Sequence, residues 1–282
     1  MSQERSPRFF AGASLFLALL AFAAGLAAMA LIQKAVAGKA EFRLVLILAE
    51  IGLALPAVIV GALLASRLPD LYRFTPLVPL GALKTAALGL ALWVLSLGVF
   101  EAQYVLVKPP LAYLEQFQGL HALLRPVGLS GWIFSIAAIA LAPAICEEIL
   151  FRGLLTPVLR RAGGAAFAIV ASAALFAAIH IDSVREGDAV TTVYYRVPFS
   201  FVLGMLLAKI RLDTGSLWPP IIAHATLNAT TFLVVLMIEQ PKPVLEDPRP
   251  LVAFGMLAVG ATAVRFLMRG IRPTPPPPSS PR

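Results

Sequence analysis

An all-α bundle of about eight transmembrane helices is the fold this sequence predicts, and three observations carry the prediction. The 282 residues are 59% hydrophobic and 13% charged, with a mean hydropathy of +0.86, whereas an ordinary soluble domain carries about a quarter charged residues. The apolar residues gather into runs near the ~20 residues that a helix needs to cross ~30 Å of hydrocarbon. Period-two alternation is absent, which argues against a membrane barrel.

Eight runs qualify as spans: 9–32, 44–66, 81–100, 131–159, 164–181, 197–212, 216–238 and 250–269. The first follows Arg5 and Arg8 and ends in Ala-x-Ala-like spacing near Ala28, as a signal peptide would. Its apolar run exceeds the ~7–15 residues of a signal h-region, so it is expected to be a retained span. The sixth is short and ends in Lys209 and Arg211, which are expected to snorkel toward the headgroups. The longest loops fall at 101–130 and 182–196. In the first, Leu111, Leu114, Phe117 and Leu120 have the spacing of an interfacial amphipathic helix. The expected organisation is a cytoplasmic N-terminus at 1–8, a helical membrane domain at 9–272 with its chemistry-bearing core at 131–238, and a Pro-rich disordered tail at 273–282.

The net charge of +8 would raise the question of nucleic acid in a soluble protein. In a membrane protein the positive-inside rule accounts for it. An even number of helices puts both termini on one side. That side then holds 13 basic residues against nine in the opposite loops, so both termini are expected in the cytoplasm, in a multi-pass protein of the cell (inner) membrane. The expected partners are the lipid bilayer and a membrane-associated peptide or protein, with no nucleic acid. The single cysteine, Cys146, excludes an intramolecular disulfide and a multi-cysteine metal site.

Charged and polar residues at membrane depth are costly and tend to mark function. The fourth run contains Cys146-Glu147-Glu148-Ile149-Leu150-Phe151-Arg152-Gly153. Glu148 and Arg152 stand at i,i+4 on one helical face and are expected to form an ion pair. Glu147 is turned about 100° away and has no sequence-local partner. The fifth run carries Phe176-x-x-x-His180 and the seventh His224-x-x-x-Asn228, so two of the three histidines fall inside spans while His121 falls in a loop. Counted at ~1.5 Å per residue from the cytoplasmic ends, Glu147 lies ~20 Å deep, His180 ~24 Å and His224 ~12 Å. The three are close enough in depth to meet inside one bundle. Glu50, in the second run, has no motif around it and reads as an interhelical contact or part of a cavity wall.

Glu-Glu-x-x-x-Arg, Phe-x-x-x-His and His-x-x-x-Asn, in that order on successive apolar segments, resemble the CPBP family. That family comprises CAAX prenyl endopeptidases and bacteriocin-processing or abortive-infection proteins. Phe151-Arg152-Gly153 and Gly215-Ser216-Leu217-Trp218-Pro219-Pro220 add to the likeness, which covers about 140–235. The resemblance implies an intramembrane endopeptidase in which Glu147 and His180 activate a water, and His224 and Asn228 stabilise the oxyanion. Glu148 and Arg152 would then be structural, and Phe176 would shape the pocket wall. The chemistry of the side chains agrees: hydrolysis needs a base, a water and oxyanion donors.

No cofactor is expected. The alternative is a zinc-dependent version of the same protease, with Glu147, His180 and His224 as ligands, although the spacing is not His-Glu-x-x-His. Two other classes compete, a transporter and a non-catalytic immunity or scaffold protein. Against the first stands the absence of a paired half-repeat.

Overall fold

The computed structural model describes residues 7–36, 38, 41–108, 124–181, 189–237, 249–269 and 271. His121, the amphipathic spacing at Leu111 to Leu120 and the Pro-rich tail lie outside the described residues. Every regular element among the described residues is helical. Seven runs are long and apolar enough to cross a membrane. They lie on α1 (Pro7–Val36), α2 (Phe42–Leu64), α3 (Pro79–Leu106), α4 (Gly128–Ile179), α5 (Ala189–Thr214), α6 (Trp218–Met237) and α7 (Pro250–Met268).

Two of the eight expected segments, 131–159 and 164–181, share α4. Its 52 residues would measure ~78 Å if straight, more than twice the hydrocarbon thickness. The helix is instead folded back on itself. Gly164 takes φ 84° and ψ −179°, a conformation open essentially to glycine alone. Past it the chain reverses, so that the rings of Phe151 and Phe176 lie 5.1 Å apart, where a straight helix would separate them by ~37 Å. Thr156 Oγ1 likewise donates to Ser172 Oγ at 3.1 Å across the hairpin. The two expected segments are its first and return arms.

Small residues let the helices approach, as association in lipid requires. A Cβ on Gly98 of α3 would lie 2.7 Å from Leu257 N of α7, and one on Gly260 of α7 would lie 2.8 Å from Leu95 Cα of α3. A Cβ on Gly204 of α5 would stand 2.9 Å from Ala173 Cα on the return arm. The buried core is one cluster that includes Phe151, Leu154 and Leu155 of the first arm, Phe176 of the return arm, Leu207 of α5, and Leu88 and Leu92 of α3. Large apolar side chains also cover the outside, with Leu63 71% and Phe254 74% exposed. Lipid is the solvent that such a surface suits.

Two local expectations are corrected. The loop expected at 182–196 is shorter, because α5 already begins at Ala189. Its early turns are tied to the end of α3: Gln103 donates to the Tyr194 carbonyl, Tyr194 Oη to the Gln103 carbonyl at 3.1 Å, and Tyr195 Oη to the Val107 carbonyl. Lys209 does reach outward, paired with Asp213 at 2.8 Å, but Arg211 does not snorkel. It is buried, donating through Nε to the Arg152 carbonyl at 3.2 Å and through Nη2 to the Asp70 carbonyl at 2.5 Å. Two backbone oxygens inside the bundle replace its water.

Candidate active site

The first arm of α4 is not a uniform α-helix. π-helical stretches at Ala137–Leu141 and Ile149–Leu155 flank an α-helical segment, Ala142–Glu148, that ends on the two glutamates. Such wide turns are rare and concentrate at functional sites. Here they set the direction in which Glu147, Glu148 and Arg152 project. Tyr72, in the α2–α3 connection, braces the arm from behind. Its hydroxyl donates to the Ala57 carbonyl, and its ring fills the space beside Gly153 that a side chain there would need. Burial pushes the Tyr72 phenol above its ordinary range, so it stays a donor.

The expected pair between Glu148 and Arg152 is present: Arg152 Nη1 meets Glu148 Oε1 at 2.8 Å with both side chains fully buried. Arg152 also donates through Nη2 to the Gly204 carbonyl at 3.0 Å and lies 4.6 Å from the centroid of the Phe176 ring. A buried guanidinium that is paired, hydrogen-bonded and stacked in this way is compensated on several sides.

His224, nearly two turns into α6, comes to the same carboxylate. Its Nδ1 stands 3.0 Å from Glu148 Oε1, and its Nε2 stands 3.9 Å from Glu147 Oε2. Because a carboxylate only accepts, Nδ1–H donates to Glu148, and Nε2 faces Glu147. Glu147 is itself buried, and its Oε2 has no hydrogen-bond partner among the described residues. The separation of 3.9 Å is too long for a direct bond and suits a bridging water.

His180 caps the return arm. Its Nδ1 lies 2.8 Å from the Phe176 carbonyl, which can only accept, so Nδ1–H donates and Nε2 is left as an acceptor. The Phe176 ring packs against both histidines, with centroid distances of 4.9 Å to His180 and 5.9 Å to His224. Phe176 therefore touches both imidazoles, Arg152 and Phe151. Asn228 follows His224 by one turn and is half-buried.

Sequence reasoning missed one contribution. The contact from Glu148 to His224 joins residues on different helices, and no local spacing announces it. Glu50 of α2, which reads from the sequence as an interhelical contact or part of a cavity wall, has its Oε2 buried without a partner among the described residues. As for zinc, no three His, Cys, Asp or Glu side chains among the described residues converge as a metal-ligating group. The donors present do not fit the ion, so no step below is routed through one.

This geometry sits on a segment with known relatives. Residues 129–230 match the family model described as type II CAAX prenyl endopeptidase, Rce1-like. Over that stretch the chain is similar to the Rce1-like family. It runs from the first arm of α4 through α5 into α6, so it contains Glu147, Glu148, Arg152, Phe176, His180, His224 and Asn228. Helices α1 to α3 and α7 lie outside the matched stretch, and Tyr72 reaches it from the α2–α3 connection. No curated protein and no solved structure matches the chain.

Proposed function

We propose that the protein is an intramembrane endopeptidase that hydrolyses a peptide bond of a membrane-associated peptide or protein, using a water activated by Glu147. The observation that carries this reading is a buried carboxylate, Glu147, whose Oε2 has no hydrogen-bond partner among the described residues and faces His224 within the stretch that matches the Rce1-like family model. Glu147 takes a proton from the water as the oxygen attacks the carbonyl carbon. His180 Nε2 accepts the water's other hydrogen and holds it in place. The tetrahedral oxyanion is met by Asn228 and by Nε2–H of His224 in its doubly protonated form, since Nδ1–H is committed to Glu148. The C–N bond then breaks as the proton held by Glu147 passes to the leaving nitrogen.

Glu148 and Arg152 do not touch substrate in this scheme; they orient His224 and hold the first arm. The transporter and scaffold readings require no base without a partner at this position. The basic bias of 13 against nine supports a cytoplasmic placement of both termini, testable with a topology reporter fused after Arg272.

The decisive experiment uses the full chain reconstituted in liposomes with a panel of membrane-anchored reporter peptides. A peptide that accumulates in cells carrying Glu147→Ala supplies the cleavage sequence. Wild type should cut it and Glu147→Gln should not, at equal abundance. Equal loss of abundance in the variant would overturn the reading in favour of a scaffold.

A further inference from the structure

Away from the glutamates, at one end of the bundle, three parts of the chain converge. The α2–α3 connection brings Asp70 and Arg73, the first arm of α4 brings Arg160 and Arg161 just before its hinge, and the end of α5 brings Arg211. Together they line a cavity of about 350 Å³, within the range of roughly 300–1,000 Å³ usual for small-molecule sites.

The charge of this cavity is one-sided, with four guanidinium groups against a single carboxylate. Asp70 Oδ2 stands 4.0 Å from Arg161 Nη2, the outer limit of an ion pair, and both side chains are exposed. Arg73 and Arg160 have no side-chain ion pair among the described residues, and both repel the Arg211 guanidinium. Like charges walling one cleft raise one another's energy and focus a field that attracts an anion. Planar guanidinium groups match the oxygens of a phosphate two at a time.

The depth of the cavity is also marked. Phe74 and Trp218 pack edge to face at 5.3 Å with each ring 42% exposed, and the neighbouring Leu217 N–H donates to the Arg73 carbonyl at 2.8 Å. Partly exposed aromatic rings of this kind gather at the level of the lipid headgroups.

We infer that this cavity is a phosphate-binding site, and that its ligand is the phosphate of an anionic phospholipid headgroup or of a small soluble phosphate ester. Arg211 connects it to the glutamate cluster, because its Nε holds the carbonyl of Arg152, whose guanidinium holds Glu148. The site does not depend on the proposed peptidase activity.

The test follows thermal unfolding of the full-length protein in a neutral detergent. The added probes are short-chain phosphatidylglycerol, a chain-matched neutral glycolipid, and glycerol 3-phosphate. Phosphatidylglycerol should raise Tm by about 3 °C or more, and Arg73→Gln combined with Arg160→Gln should weaken that response at least tenfold in lipid concentration. A shift with phosphatidylglycerol alone identifies a lipid source, and an equal shift with glycerol 3-phosphate identifies a soluble one. The inference fails if neither phosphate raises Tm, if the glycolipid matches them, or if the double variant responds undiminished. Should that variant not fold, native mass spectrometry of the unaltered protein decides: retention of one phosphate-bearing molecule supports the site, and retention of none overturns it.

Discussion

Glu148 Oε1 is shared by two partners, Arg152 Nη1 at 2.8 Å on its own helix and His224 Nδ1 at 3.0 Å on α6. One oxygen thus fixes the tautomer of an imidazole on another helix while it neutralises a buried guanidinium. Its neighbour Glu147 faces the opposite nitrogen of the same ring at 3.9 Å. Adjacent residues of one sequence therefore grip the two ends of one histidine.

That arrangement separates the two glutamates by experiment. Glu148→Gln leaves Arg152 as a buried charge without its counter-ion, a loss expected at about 3–5 kcal/mol. Membrane abundance and Tm should both fall. Replacing Arg152 by Met together with Glu148→Gln should recover much of the abundance but not the cleavage rate, because His224 loses its orienting acceptor. Recovery of both would remove the positioning role from Glu148.

The proposed oxyanion donation by His224 is separable from its packing. Nδ1–H already serves Glu148, so Nε2 is the nitrogen that would meet the oxyanion. A His224→Gln variant keeps an amide donor and should cleave slowly, and His224→Phe, with a ring and no donor, should be slower by at least tenfold again at equal abundance. Equal rates in the two variants would contradict donation by His224.

Close packing at α5 gives a third prediction. A side chain at position 204 meets Ala173 Cα at 2.9 Å, and the carbonyl of that residue is an acceptor for Arg152. Gly204→Val should lower stability by about 1–3 kcal/mol through overpacking and depress activity beyond the loss of folded protein. Specific activity per folded molecule, measured against Gly255→Val on α7 where a Cβ meets no neighbour, checks this. Equal specific activities would show that the Gly204 carbonyl does not position the site.

A strong chelator supplies the fourth. With metal content verified by elemental analysis, the purified protein should still cleave its reporter peptide, as a carboxylate-activated water requires. Activity that disappears and returns only with added Zn²⁺ would replace the Glu147 mechanism with a metal-bound water.

Much of this was readable from the chain alone, and what escaped has a common cause. Hydropathy located every long helix among the described residues, because lipid imposes a length and a composition on each pass. The pair between Glu148 and Arg152 was readable because i,i+4 neighbours on a helix meet whatever surrounds them. The contacts of His224 with Glu148, of Arg211 with the Arg152 carbonyl, and of Tyr72 with the first arm join residues far apart in sequence. They depend on which helices become neighbours, and an apolar pattern does not specify that. The π-helical turns beside the glutamates escaped for another reason, since a widened turn leaves no trace in a uniformly apolar stretch.

The reversal at Gly164 also changes how the passes are counted. Among the described residues seven unbroken runs are long and apolar enough to span a membrane, yet Asp70 and Arg73, after α2, share one cavity with Arg211, at the end of α5. Between those points run α3, α4 and α5, and three single passes would carry the chain to the opposite end of the bundle. Counting the two arms of α4 separately brings it back to the end it left. A single glycine thus lets one continuous helical run contribute two passes.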